Sequence, residues 1–154
     1  MTYKKSAALS LALCFVLSAV FIALAVILPL GFRQFYMNYL GESAATEKVE
    51  NVTRIVLITF YACLPFAAAA LYSLIRLTYN IFRGKVFIRR NVAYLFAVAF
   101  CCFGVFITSV AIGYRYLPIM LISGVLLIVG IMLVVVANVM SAANALREEN
   151  DLTI

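Results

Sequence analysis

Tyr116 to Leu146, YLPIMLISGVLLIVGIMLVVVANVMSAANAL, runs for 31 residues without a charged side chain. As one α-helix rising about 1.5 Å per residue it is roughly 46 Å long, against about 30 Å for the hydrocarbon core of a bilayer. The end of this helix must therefore emerge into water or tilt strongly. Asn138, Ser141 and Asn144, spaced three apart, mark one face of the emerging part. At its other end Pro118 stands where a helix start favours proline, after a tight turn from Gly113 to Leu117.

The rest of the chain matches this stretch. Of 154 residues, 67% are hydrophobic and 12% charged, whereas soluble domains are about half apolar and a quarter charged. A domain of this size cannot hide so much apolar surface in one core, so lipid must be part of its solvent. Ser6 to Phe32 is a second uncharged run behind Lys4 and Lys5. It is too long for a signal-peptide core and ends in Pro29-Leu30-Gly31 without a convincing cleavage site, so it reads as a retained helix. Ile55 to Ile75 carries Pro65 in its middle, where a kink is expected, and Ala67 to Ala70 form a smooth contact face. Asn91 to Tyr114 completes the set. The expected fold is all-α, an integral membrane four-helix bundle and a single domain. Its spans are about 8–32, 55–77, 92–113 and 117–140, joined by a loop at 33–54 and a basic loop at 78–91, with a tail at 141–154.

In the 33–54 segment, Phe35, Tyr36, Tyr39 and Leu40 suit the headgroup layer. Gly41-Glu42-Ser43 reads as a turn, and Thr46 to Arg54 as a short helix leading into the next span. Asn51-Val52-Thr53 matches a glycosylation sequon, a triplet common by chance.

Charge decides orientation. Asn80 to Asn91, NIFRGKVFIRRN, holds Arg83, Lys85, Arg89 and Arg90. With Lys4, Lys5, Arg76 and Arg147, that side of the membrane carries eight basic residues, and the other carries four (Arg33, Lys48, Arg54, Arg115). The positive-inside rule puts both termini and the basic loop in the cytoplasm. Tyrosines agree, with Tyr36, Tyr39, Tyr114 and Tyr116 at the outer boundary and Tyr3, Tyr72, Tyr79 and Tyr94 at the inner one. The net charge of +6 is then read as topology and contact with anionic headgroups, not as nucleic-acid binding.

Catalytic chemistry is hard to assemble from these residues. No acidic or basic side chain lies deep in a span, which weakens a pump or proton-coupled transporter. Asp occurs once, at Asp151, and there is no histidine. Cys14, Cys63, Cys101 and Cys102 all lie in apolar runs and read as small buried hydrophobes, with no metal or cofactor expected. The expectation is a non-enzyme. Packing patterns remain: Ala19-x-x-x-Ala23 and Ala137-x-x-x-Ser141-x-x-x-Ala145 are small-x-x-x-small motifs for contact within the bundle or between copies in a homo-oligomer.

Two segments together carry a resemblance. Asn80-Ile-Phe-Arg-Gly-Lys-Val-Phe87 followed by Asn91-Val-Ala-Tyr-Leu95, and the ending Leu146-Arg-Glu-Glu-Asn-Asp-Leu-Thr-Ile154, are similar to a bacterial membrane-protein family called domain of unknown function 2975. Val86 stands where members commonly have proline, and Arg89 and Arg90 where they tend to have acidic or polar residues. The resemblance implies a bacterial cytoplasmic membrane and a gene beside that of a small helix-turn-helix regulator of the Cro/repressor type. It points to a regulatory membrane protein that binds or modulates that cytoplasmic regulator. The candidate docking residues are Arg83, Lys85, Arg89 and Arg90 of the loop and Glu148, Glu149, Asn150 and Asp151 of the tail. Within one molecule the tail can instead pair with the basic loop. The alternative function is a small oligomeric channel or exporter subunit.

Overall fold

A computed structural model describes the backbone of residues 2–40, 46–114 and 117–151. Four helices follow in order: α1 (Thr2–Leu40), α2 (Thr46–Phe82), α3 (Arg89–Gly113) and α4 (Leu117–Asp151). All four are long and apolar enough to cross a membrane. The predicted turn at Gly41-Glu42-Ser43 lies outside the described residues, as do Arg115 and Tyr116.

The helices outrun the apolar spans. α2 includes the lead-in from Thr46 and runs on through Asn80 to Phe82, so the first turn of the loop expected at 78–91 is helix. α4 is 35 residues long, or about 52 Å, so the 141–154 segment begins as rigid helix. At 33–54 the expectation of a loop needs correcting, because α1 continues through Phe35 to Leu40 without a break.

The proline inside α1 shows why the helix survives it. Pro29 has no N–H, which leaves the carbonyl four residues earlier, at Ala25, without its helical partner. Tyr61 Oη of α2 donates a hydrogen bond to that oxygen at 3.2 Å. In hydrocarbon an orphaned carbonyl is expensive, and a neighbouring helix supplies the donor.

Each helix packs against the next. Cys14 Sγ lies 3.9 Å from Thr78 Oγ1, and Ala25 meets Tyr61, so α1 and α2 run antiparallel. Among the described residues α1 approaches α2 alone, while α2, α3 and α4 form the packed unit. That unit is centred on Leu77, Val92, Leu95 and the fully buried Ala137. Close approach is visible at Gly104, where an added Cβ would fall 2.6 Å from the Phe66 ring. Most other large apolar side chains face outward, where lipid is their solvent.

The start of α1, the α2–α3 loop and the end of α4 consequently share one end of the molecule. Every basic residue of the island lies there.

Candidate functional site

The α2–α3 loop is built rather than merely spanned. Gly84 N–H donates to Ile81 O at 2.9 Å and Lys85 N–H to Asn80 O at 3.0 Å. This is the paired closure of a Schellman motif, and Gly84 takes the left-handed conformation it needs, with φ 77°. The chain then turns back into α3 through Asn91, which has no exposed surface. Its amide nitrogen donates to Lys85 O at 2.7 Å and Val86 O at 2.8 Å. Its oxygen accepts from Asn80 Nδ2 at 2.9 Å. One side chain thereby fastens the end of α2, the loop and the first turn of α3.

Around this latch the charges are arranged in fixed pairs. Arg89 Nη2 meets Glu148 Oε2 at 2.7 Å, and Arg89 Nε donates to Oε1 at 3.2 Å, a two-pronged contact between the start of α3 and the end of α4. The Arg89 guanidinium holds the Glu148 carboxyl below the usual carboxylate range, and Glu148 in turn raises the Arg89 pKa. Both side chains are well exposed, at 85% and 54%, so solvent and salt screen the pair. Arg83 lies 4.6 Å over the ring of Tyr79, and Arg147 6.0 Å over Phe87. These cations rest on aromatic faces at the boundary.

Of the predicted docking residues, Arg83, Lys85, Arg89, Arg90, Glu148, Glu149 and Asn150 are all exposed at this end. Asp151 is the last helical residue, but its side chain and Leu152–Ile154 lie outside the described residues. The structure thus brings the basic loop and the acidic helix end into direct contact through Arg89 and Glu148.

The small-residue motifs divide. Ala137 is buried in the α2–α4 core. Ser141 and Ala145 are exposed and line a hollow with Arg89 instead of a tight seam. On α1, Ala19 and Ala23 are both exposed and form no seam within the bundle, which leaves the expected contact between copies, while Leu11, Cys14, Ser18, Phe21 and Ala25 are more covered. Leu17 and Phe21 of α1 and the bulky Phe60 and Leu64 of α2 line a common apolar hollow. A small residue is needed only where backbones approach closely, and α1 does not come that near.

Two features were not anticipated. One is the Asn80–Asn91 bond: both residues stood out at the ends of the basic island, but their mutual contact depends on the turn between them. The other is a group of hydroxyls brought together inside the membrane from three helices, Thr59, Ser109 and Ser123, with Cys63 Sγ 3.7 Å from Ser109 Oγ. Thr59 and Ser123 donate to carbonyls of their own helices, so these hydroxyls are satisfied locally. Single hydroxyls on separate helices give no sequence pattern. Among the described residues no group of three or more His, Cys, Asp or Glu could hold a metal.

Four membrane-length helices around a small core, with the charge gathered at helix ends, define a multi-pass membrane protein. The chain belongs to the family described as Protein of unknown function (DUF2975), which matches residues 2–154. No curated protein and no solved structure matches it.

Proposed function

We propose that this chain is a non-enzymatic docking protein of the bacterial cytoplasmic membrane, with its charged end in the cytoplasm, that holds a small helix-turn-helix regulator. The observation carrying this reading is the contact of Arg89 with Glu148 beside the Asn91 latch. It makes one preformed surface from two segments far apart in sequence. The excess of basic residues at this end supports the orientation. A DNA-binding regulator is basic on its DNA face, and the acidic residues that close α4 complement it in charge, which speeds encounter.

The experiment is capture from native membranes by the tagged full chain, read for the regulator encoded beside it. Capture is expected for the intact protein and lost on deleting Asn150 to Ile154, with insertion unchanged. Retention of the regulator by the truncated chain would overturn the docking role of the tail.

A further inference from the structure

Asn144 is the anomaly of the charged end. It is 7% exposed, and among the described residues neither its amide nitrogen nor its amide oxygen has a hydrogen-bond partner. A buried amide with both ends unpaired is destabilising unless something else completes it. Asn144 also forms part of the wall of two adjoining hollows of about 310 and 460 Å³ that share Arg89 and Glu148. The larger is bounded by the α2–α3 loop from Gly84 to Ile88.

The chemistry around this space favours an anion. Lys85, Arg89 and Arg147 line it against a single acid, Glu148, which Arg89 already engages. The first turn of α3 opens beside it. Its cap residue is Ile88, which makes no side-chain capping bond, so the positive end of the helix dipole is left for an incoming anion. Asn144 itself lies seven residues before the helix end at Asp151, outside the last turn to which the opposing dipole of α4 is confined, whereas Glu148 lies within that turn.

Position narrows the anion further. Asn144 is four residues past the predicted end of the fourth span at residue 140, or about 6 Å along the axis. That is headgroup depth.

We infer that the hollow between the α2–α3 loop, the start of α3 and the end of α4 binds a phosphate group, with Asn144 completing its hydrogen bonds. Lys85 and Arg147 supply charge, and the soft χ2 torsion of Asn144 turns its amide toward the occupant. The phosphate belongs either to a phospholipid headgroup or to a free phosphate from the aqueous side. The site shares Arg89 and Glu148 with the proposed docking surface but does not depend on the orientation assigned there, since either leaflet offers the same chemistry.

The test uses the full chain in lipid-depleted detergent, with thermal unfolding followed by circular dichroism. The probes are dioleoylphosphatidylglycerol, dioleoylglycerol, which lacks the phosphate, and inorganic phosphate. A rise in Tm with phosphatidylglycerol but not with dioleoylglycerol is expected, and a matching rise with inorganic phosphate would assign the free-phosphate source. Equal effects of the two lipids without an effect of phosphate, or no effect of any probe, overturn the site.

Asn144→Leu keeps the branched shape and heavy-atom count of the side chain and removes both unpaired groups. It should be at least as stable as the parent without a probe, and bind about tenfold more weakly, the loss of one or two hydrogen bonds to a charged group. Lys85→Gln should weaken binding several-fold. An Asn144→Leu protein that binds as tightly as the parent, or that is less stable than the parent with no probe present, shows the amide to be structural and overturns the inference.

Discussion

α1 and α3 are both apolar membrane-length helices, yet they stand in the molecule on different terms. In the most apolar part of α1 no residue is buried by protein, whereas α3 is covered on both sides by α2 and α4. α1 is the more apolar of the two. Hydropathy therefore measures how well a helix suits lipid, not how much of it the protein holds. What distinguishes α3 is its inward set of small and polar residues, Asn91, Ala99, Gly104 and Ser109. In a bilayer, where apolar contact between helices gains little over lipid, those residues allow close packing and hydrogen bonding.

The largest break in this contrast should come from Asn91→Leu. It strands the carbonyls of Lys85 and Val86 and the amide of Asn80, and should cost on the order of 3 kcal/mol. Thermal unfolding in detergent should show the α2–α4 unit melting earlier, with a protease-sensitive bond appearing between Arg83 and Ile88. A smaller and opposite break is Tyr61→Phe, which removes the donor to Ala25 O. The expected loss is about 1 kcal/mol or less. It should fall on α1 alone, seen as faster hydrogen exchange near Pro29 with α3 unchanged.

The smallest effect concerns the contact of α3 with the end of α4. Glu148 has a carboxyl pKa lowered in the folded chain by Arg89. The pair therefore adds stability above the ordinary carboxylate range, and loses it as pH falls through the lowered folded value. Distance measurements between spin labels on the loop and on the end of α4 should broaden in acid and in high salt. Glu148→Gln should remove both sensitivities.

Much of this arrangement is legible in the residues themselves. The four spans and the unusual length of α4 follow from run lengths and the fixed rise of a helix. The 33–54 segment misleads because Pro29 and Gly31 look like punctuation, and only the hydroxyl of Tyr61, 32 positions beyond Pro29 in the sequence, explains why the helix continues. Ala19 and Ala23 leave their partner open because a spacing motif does not say which face meets a neighbour. At the charged end the residue types were visible, but their partners were not. Asn91 with Asn80, and Arg89 with Glu148, are set by a turn and by helix pairing that no local pattern encodes. Asn144 was noted as one member of a polar face, whereas in the fold its neighbour Ser141 is exposed and it is enclosed.

The weak attachment of α1 bears on how the protein is made. Of the four helices α1 is made first, and no residue of its most apolar part is fully buried by the others. It is stable in the bilayer from the moment it inserts, before any later helix exists. Ala25 O, the carbonyl that Pro29 leaves without its helical partner, meets a tyrosine that arrives with the second span. The contacts then follow the order of the chain: α2 meets α1 at Ala25 and again at Cys14, and only with α3 and α4 does a shared interior close.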